Sequence, residues 1–297
     1  NATDDLEILL ESAANKKEYK NKFKKFKEYQ QKPNSEVDFS KEFSTLETIL
    51  EGVYLLGDYS KKIKDEVLAQ GELLSVKLVT NLLKQNNVDA NAVDARSLLI
   101  TDDNFGNAQP ITTISKENVT EFFKKNTNAI QIVTGFIGAN KKNETTTLGR
   151  NGSNYTAALL ANYLSANELQ NYTHVSGIFT ADPKLVADAK KIKELSFLEA
   201  NELATFGTRL LHAKTIIPLV EKNINLRILN TFSKQDKGTL ITSKSSEKGI
   251  KTISSIDDVA LLNFEGRGLL GKVGVDARLF SVLSDHNISV RIISHGS

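Results

Sequence analysis

Short apolar runs that alternate with helical stretches limit most strongly how this 297-residue chain can fold. The runs are rich in β-branched residues and lie at 97–101, 129–139, 169–183 and 224–231. The helical stretches between them lie at 116–126, 153–164, 197–206 and 209–222. This alternation favours an α/β fold, with a parallel sheet covered by helices on both faces. In such folds ligands bind beyond the carboxyl ends of the strands.

Helical patterns also precede this alternating core. Residues 3–56 are predicted to be helical, with a polar break at 30–40. Residues 64–85 have apolar side chains at helical spacing and predict a further helix.

A smaller unit follows a polar linker at 242–249. Its pattern predicts a strand at 259–266, a glycine-rich loop at 266–274, a helix at 275–286 and a strand at 287–294. A lone β-α-β unit cannot bury both faces of its sheet. We therefore expect this unit to be incomplete or to be completed by a partner.

Composition narrows the classes of function. The 38 basic and 36 acidic residues give a net charge of +2, so we expect neither nucleic acid nor a membrane as partner. The chain has no cysteine, which excludes disulfides, thiolate catalysis and cysteine zinc sites, and fits a cytoplasmic protein. Its four histidines have no metal-ligand spacing, so we expect no metal ligands from the protein.

A glycine-rich elbow is the first candidate site, in the stretch "TTTLGRNGSNYTAALLANYL". Gly149, Gly152 and Ser153 stand where a helix is predicted to begin, and free N–H groups at such a point can bind an anion. Arg150 adds a planar fork that suits a carboxylate or a phosphate. The alternative is a tight turn with a helix cap, in which Ser153 or Asn154 is the N-cap residue.

Two further polar elbows and one acid complete the pattern. "TGFIGA" at 134–139 is either a glycine turn or a backbone that a ligand approaches closely, and 173–183 ends another strand in a polar turn. Glu72, within an apolar helical pattern, either reaches solvent or caps a loop, or is a buried carboxylate held for an ammonium group. Three such elbows at the strand ends of one α/β sheet together predict a binding site.

Several stretches carry a family resemblance: "TTTLGRNGSNYTAALLA", "VTGFIGA", "FTADP" and "ELATFGTRLLHAKTIIPLVEKNINLRILNTF". With them the chain resembles the aspartokinases, which use ATP to phosphorylate the side-chain carboxylate of L-aspartate in lysine, threonine and methionine biosynthesis. The resemblance implies a three-layer αβα amino-acid-kinase fold. Residues 1–243 would form the catalytic domain without its N-terminal strand, and residues 250–297 would begin an ACT regulatory domain. ATP and Mg²⁺ are the implied cofactors.

The resemblance also implies a role for individual residues. Arg150 would bind the α-carboxylate of aspartate and Glu72 its α-ammonium group, while Ser153, Thr3 and Phe136 would line the same pocket. The implied nucleotide-binding residues are Thr173, His174, Phe179, Asp182, Lys184 and Arg209, and the implied catalytic residues are Ser153, Asn154 and Arg209.

Departures from the family pattern weaken the expectation of catalysis. The family's K-F-G-G-[TS]-S segment, whose lysine stabilises the transferring phosphoryl group, is not in the sequence. Asn154 replaces the usual carboxylate, His174 and Ser176 replace acids, and Phe179 replaces a tyrosine. We therefore expect little or no kinase activity from this chain. A non-catalytic amino-acid sensor is the alternative, whereas "TTTLGR", "LLHAKT" and the ACT start disfavour an amino-acid kinase for another substrate.

The resemblance extends to regulation. Asn151 in "GRNGS" resembles the bifunctional aspartokinase–homoserine dehydrogenases more than the monofunctional enzymes. Threonine or lysine is the implied effector, and the loop 266–274 would offer N–H groups to an effector carboxylate or be a structural turn. Because ACT domains commonly pair across subunits, we expect a homodimer or a higher homo-oligomer.

Overall fold

The computed structural model describes residues 2–205, 212–244, 249–255, 259–265, 273–286, 288, 290 and 292–294. Its helices are α1 (Ala2–Ala14), α2 (Lys20–Gln31), α3 (Ser40–Leu56), α4 (Lys61–Gln85), α5 (Thr112–Lys125), α6 (Gly152–Leu164), α7 (Phe197–Thr205), α8 (Ala213–Glu221) and α9 (Val275–Asp285). Its strands are β1 (Ala90–Val93), β2 (Ile100–Thr101), β3 (Ile130–Val133), β4 (Ile137–Asn140), β5 (Thr145–Thr147), β6 (Glu168–Thr173), β7 (Glu194–Ser196), β8 (Asn225–Asn230) and β9 (Thr239–Thr242).

The strands pair in groups that follow the two halves of the chain. In the first half β1 pairs with β3 and β2 with β4, both parallel, while β5 runs antiparallel to β4. In the second half the order is β6-β8-β9-β7, with β8 and β9 antiparallel and the other pairs parallel. The sheet predicted as parallel is therefore mixed. Short loops join β4 to β5 and β8 to β9, and a short connection can link only antiparallel neighbours.

The N-terminal helices form an apolar core that holds α4 in place. Leu6 and Leu10 of α1, Leu46 and Leu50 of α3, and Leu74 of α4 are all buried in one cluster. Another part of α4 packs against β1, β3 and β5. The predicted helices at the N-terminus and over α4 are confirmed. Because α4 packs against both the N-terminal helices and the strands, its polar side chains can face the space between them.

Short strands account for most differences from the predicted elements. The run at 97–101 is extended only at Ile100–Thr101, because Ala95–Ser97 forms a 3₁₀ turn whose preceding Asp94 accepts the N–H of Arg96 at 3.0 Å. The run at 129–139 is divided into β3 and β4 by a turn. β1, β5, β7 and β9 were not predicted, since three or four residues carry too little periodicity to be recognised.

The C-terminal unit differs from its prediction in part. Helix α9 confirms the helix expected at 275–286. The strands predicted at 259–266 and 287–294 are wrong for the residues that the structure describes there, none of which is in a strand. Their apolar side chains stay exposed, for example Leu261 at 89%. A strand needs a hydrogen-bonding partner, and these segments have none among the described residues.

Among the described residues, no helix combines the length and the apolar character needed to cross a lipid bilayer.

Candidate active site

A cleft of about 920 Å³ lies between the N-terminal helices and the start of α6. Pockets of about 300–1,000 Å³ are typical of small-molecule sites. Its wall includes residues of α1 and α4, the loop 104–107, the turn before β4 and the first residues of α6. The structure therefore brings all the residues assigned to the amino acid into one place, together with two of the three assigned to catalysis, of which one has both roles. They are Thr3, Glu72, Phe136, Arg150, Ser153 and Asn154.

The turn between β3 and β4 packs directly on the first turn of α6. A Cβ on Gly135 would lie 2.8 Å from Cβ of Ser153, and a Cβ on Gly152 would lie 2.7 Å from Cδ2 of Phe136. Phe136 has a left-handed φ of 67° and its N–H donates to Oγ1 of Thr156 at 3.1 Å. Of the two interpretations of "TGFIGA", the structure favours the glycine turn, because neighbouring protein atoms already require the small residues.

The elbow before α6 turns through two left-handed residues. Gly149 has a φ of 76° and Asn151, the N-cap residue, a φ of 57°. The N-cap predicted at Ser153 or Asn154 is therefore wrong, since the N-cap is Asn151, two residues before Ser153. No side chain caps this helix end. The N–H of Gly152 donates to the carbonyl of Gly149 at 3.0 Å, so the N–H groups that follow it and the positive end of the helix dipole are left for an anion in the cleft.

Arg150 is a cation with no partner in the described protein. Its side chain is exposed, and it forms no hydrogen bond or ion pair with any residue that the structure describes. Two other arginines are paired: Arg96 lies 2.7 Å from Asp94, and Arg227 lies 3.0 Å from Glu168. The guanidinium of Arg150 therefore has its whole fork available for a carboxylate or a phosphate.

Glu72 is an acidic residue that lines the same cleft as Arg150. Burial raises the pKa of its carboxyl group, and hydrogen bonds from the N–H of Gly135 and the hydroxyl of Ser153 partly offset that rise. Within the described part of the chain it has no ion pair. The interpretation of Glu72 as a loop cap is confirmed, since its carboxylate accepts from the β3–β4 turn, and its role toward an ammonium group stays a prediction for a residue that also lines the cleft. A half-buried carboxylate without a counter-ion is suited to an ammonium ligand.

The predicted nucleotide-binding residues that the structure describes lie outside this cleft, on and after β6. Thr173 is the last residue of β6, and His174 follows it with an exposed side chain. The carbonyl of Phe179 accepts a hydrogen bond from the hydroxyl of Thr252 at 2.9 Å. The carboxylate of Asp182 accepts the N–H of Lys184 at 2.9 Å, and both side chains are exposed. These residues share one loop beyond the carboxyl end of a strand, where ligands of α/β folds bind.

Arg209, predicted to face the phosphates, lies outside the described residues. Across the stretches that the structure does describe, no group of three or more His, Asp or Glu side chains is placed to hold a metal ion.

Comparison with known proteins identifies the family. The model of the Amino acid kinase family matches residues 7–230, which is well over half of the chain. The chain belongs to the amino acid kinase family. A model of an ACT domain matches residues 262–297. The predicted α/β amino-acid-kinase fold with the start of an ACT domain is thereby confirmed.

The relatives of this amino acid kinase are aspartokinases, which confirms the predicted resemblance. The lysine-sensitive aspartokinase 3 of Escherichia coli is 35% identical over 256 residues, which cover 84% of this chain and 57% of the relative. The bifunctional aspartokinase/homoserine dehydrogenase of Buchnera aphidicola is 34% identical over 270 residues, which cover 89% of this chain and 33% of the relative. The chain thus spans one third to little more than half of these relatives. Since both kinds occur, the preference for a bifunctional parent stays a prediction.

A solved structure is similar over almost the whole kinase chain. The crystal structure of E. coli aspartokinase III in complex with aspartate and ADP matches this chain with a TM-score of 0.83 at 30% sequence identity. The match covers 98% of this chain and 68% of that one.

Asp65 is the residue of this kinase's cleft that the sequence interpretation missed. It lies on α4, is 1% exposed and accepts the N–H of Gly106 at 2.8 Å. It also accepts the N–H of Thr147 at 2.9 Å and the hydroxyl of the same residue at 2.8 Å. It precedes Glu72 by seven residues, or two helical turns, which places both acids on one face of α4. That spacing is the signal that could have identified it.

Asp65→Asn is expected to destabilise the folded kinase by about 2 kcal/mol, because both carboxylate oxygens accept hydrogen bonds and an amide nitrogen cannot. The melting temperature in thermal denaturation measures the loss. Asp188→Asn, at an exposed carboxylate, is the matched control and should leave the melting temperature unchanged. Equal melting temperatures for the two variants would show that Asp65 does not hold the loop and β5 together.

Proposed function

We propose that the cleft binds L-aspartate, and that the protein is of the kind that uses ATP to phosphorylate the side-chain carboxylate of this substrate, with little or no activity expected from this chain because of the departures from the family pattern. One observation carries the proposal: Arg150 and Glu72 line the same cleft, and neither has an ion-pair partner among the described residues. An α-amino acid presents one carboxylate and one ammonium group on the same carbon. A cation and an anion that share a cleft can bind both groups at once.

Each cleft residue then has a defined part in binding. Arg150 and the free N–H groups at the start of α6 hold the α-carboxylate. Glu72, oriented by Gly135 and Ser153, holds the α-ammonium group. Thr3 and Phe136 line the remaining wall. With both α groups held, the side-chain carboxylate is the part of the substrate that stays free to react.

The reaction itself would be a direct phosphoryl transfer. An oxygen of the side-chain carboxylate forms a bond to the γ-phosphorus while the bond from that phosphorus to the bridging oxygen of ADP breaks, which gives an acyl phosphate and ADP. Such transfers depend on positioning and on neutralisation of the phosphate charge. Lys184 and Arg209 would supply positive charge. Mg²⁺ would enter with ATP, but the described residues offer no set of protein ligands for it, and we assign it no step.

A non-catalytic amino-acid sensor is the second candidate. It is favoured by Asn154, which lines the cleft where the aspartokinase resemblance leads one to expect a carboxylate. A sensor would need the Arg150 and Glu72 pair but no phosphoryl transfer. Binding of ATP to the chain, measured separately from aspartate, distinguishes the two candidates.

The proposal also covers the domain boundaries, the effector and the oligomeric state. We propose a catalytic domain over 1–243, the beginning of an ACT domain over 250–297, and lysine or threonine as effector in a cytoplasmic homodimer or higher homo-oligomer. The lysine-sensitive relative and the E. coli aspartokinase III structure in complex with lysine and aspartate favour lysine. The molecular mass of the assembly in solution, measured with and without each amino acid, tests both the oligomeric state and the effector.

Calorimetry with matched ligands tests the substrate assignment. Succinate is aspartate without the ammonium group, and β-alanine is aspartate without the α-carboxylate. We expect L-aspartate to bind at least about 10-fold more tightly than either, because each lacks one of the two charge contacts. Equal affinity for the three compounds, or no aspartate binding, would overturn the assignment.

Affinity for aspartate is expected to fall as the pH is lowered, beginning above the pH at which an ordinary glutamate takes up a proton. Burial raises the pKa of Glu72, and the protonated acid no longer attracts an ammonium group. Because the folded chain holds this proton more tightly than the unfolded chain, its contribution to the unfolding free energy increases over the same fall in pH. Titration of Glu72→Gln, which lacks the group, should show no loss of affinity in this window.

A further inference from the structure

Lys214 links α8 to the loop 104–107 and to the residue before the elbow, although it belongs to the other half of the chain. It is the second residue of α8, and its Nζ donates to Oδ1 of Asn107, in the loop 104–107, at 2.7 Å. The same Nζ lies 3.4 Å from the carbonyl oxygen of Leu148, the residue before Gly149. One ammonium group therefore contacts both the loop that lines the cleft and the strand end that leads into the elbow.

Lys214 has two further contacts, one through its backbone and one through its ammonium group. Its backbone N–H donates to Nδ1 of His212, the N-cap residue of α8, at 3.2 Å. Its Nζ lies 5.9 Å from the ring centroid of Tyr155 on α6. Burial lowers the pKa of Lys214, and in the described ranges it has no carboxylate partner. The side chain thus places a cation on neutral oxygen acceptors, an arrangement that stability alone does not require.

Those contacts lie directly beside Arg150. A Cβ on Gly149 would lie 2.7 Å from Oδ1 of Asn107, so the loop and the elbow touch at the atom that accepts from Lys214. Arg150 is the next residue, and it forms no hydrogen bond or ion pair with the residues that the structure describes. Its position is therefore set by the backbone on its N-terminal side, which the Lys214 ammonium group fixes.

We infer that Lys214 is a positioning residue for the α-carboxylate site: by holding Asn107 and Leu148 it fixes the elbow that presents Arg150. The inference rests on the proposed binding of aspartate. It also links that pocket to α8, which follows the segment carrying Arg209. Removal of the ammonium group should therefore weaken recognition of the α-carboxylate while leaving the rest of the pocket intact.

Lys214→Met keeps the stem and removes the charge. We expect its affinity for L-aspartate to fall about 10-fold and its affinity for β-alanine, which has no α-carboxylate, to change less than about twofold. Lys214→Arg should restore most of the aspartate affinity, because a guanidinium can reach the same acceptors. Lys222→Met is the matched control: Lys222 also lies at α8 but donates to Ser165 at 2.7 Å, away from the elbow. It should bind both ligands like the unchanged chain.

Hydrogen exchange of the ligand-free protein tests the positioning directly. Amides of residues 149–153 should exchange at least about fivefold faster in Lys214→Met than in Lys222→Met. Asn107→Leu removes the acceptor at the other end and should reproduce this result even if Lys214→Met folds poorly. Unchanged exchange in the elbow, or equal losses for aspartate and β-alanine, would overturn the inference. Absence of aspartate binding to the unchanged chain would instead refute the proposed function, and exchange alone would then decide the role of Lys214.

Discussion

Arg150→Met is expected to weaken binding of L-aspartate more than about 100-fold, or about 2.7 kcal/mol, while the melting temperature stays unchanged. Both halves of this expectation follow from the same fact. Arg150 is exposed and has no partner in the described protein, so its removal breaks no contact of the fold. In the complex its guanidinium would form a bidentate pair with the α-carboxylate, and methionine leaves that carboxylate with only the helix N–H groups.

Comparison of ligands assigns the loss to the α-carboxylate. β-Alanine lacks this group, so its affinity should differ by less than about twofold between Arg150→Met and the unchanged chain. Arg150→Lys should fall between the two, because a lysine keeps the charge but not the fork. Arg278→Met changes an exposed arginine of α9 and is the control for net charge. If β-alanine and aspartate lose affinity equally, Arg150 contacts some other part of the ligand.

The local chemistry of the elbow was predictable because it depends on neighbouring residues. A polar run, two glycines around an arginine and then an apolar helical pattern are enough to predict a strand end, a turn and a helix start. The structure brings Arg150 and Ser153 to one cleft as that pattern indicates. The N-cap was not predictable in the same way, because it depends on the left-handed conformation of Asn151 and on no side-chain contact.

The framework that holds the elbow could not be predicted, because its contacts join residues far apart in the sequence. Asp65 accepts hydrogen bonds from Thr147, and Lys214 donates to Asn107. Taken alone, Asp65 and Lys214 are ordinary charged residues of the kind found on helix surfaces. Only the packing of α4 against β5 and of α8 against α6 brings their partners near. The C-terminal strands were wrong for a related reason, since an alternating pattern predicts a strand but not the partner it needs.

The two acids of α4 show how burial with and without partners separates structure from binding. Both lie on one face of the helix, and burial raises the pKa of both. Asp65 accepts three hydrogen bonds through its two oxygens and has become part of the wall. Glu72 accepts from one N–H and one hydroxyl, and faces the cleft without a counter-ion among the residues that the structure describes. The first acid is therefore expected to affect stability, and the second ligand affinity.

Glu72→Gln is expected to weaken binding of L-aspartate about 100-fold without loss of stability. The glutamine oxygen can still accept the N–H of Gly135, and removal of a half-buried negative charge lowers the desolvation cost of folding. The ammonium group of the ligand, however, loses the charge that opposes it. Thermal denaturation and calorimetry on the same preparation separate the two effects.

Succinate provides the decisive comparison, because it has both carboxylates of aspartate and no ammonium group. Its affinity should be unchanged or somewhat higher in Glu72→Gln, since the carboxylate of Glu72 can only repel it. Glu117→Gln, at an exposed acid of α5, controls for net charge and should not alter either affinity. Equal losses for aspartate and succinate would mean that Glu72 supports the pocket through Gly135 and Ser153 alone. A loss confined to aspartate would place the ammonium group at Glu72, and with Arg150 on the α-carboxylate it would fix the orientation of the substrate.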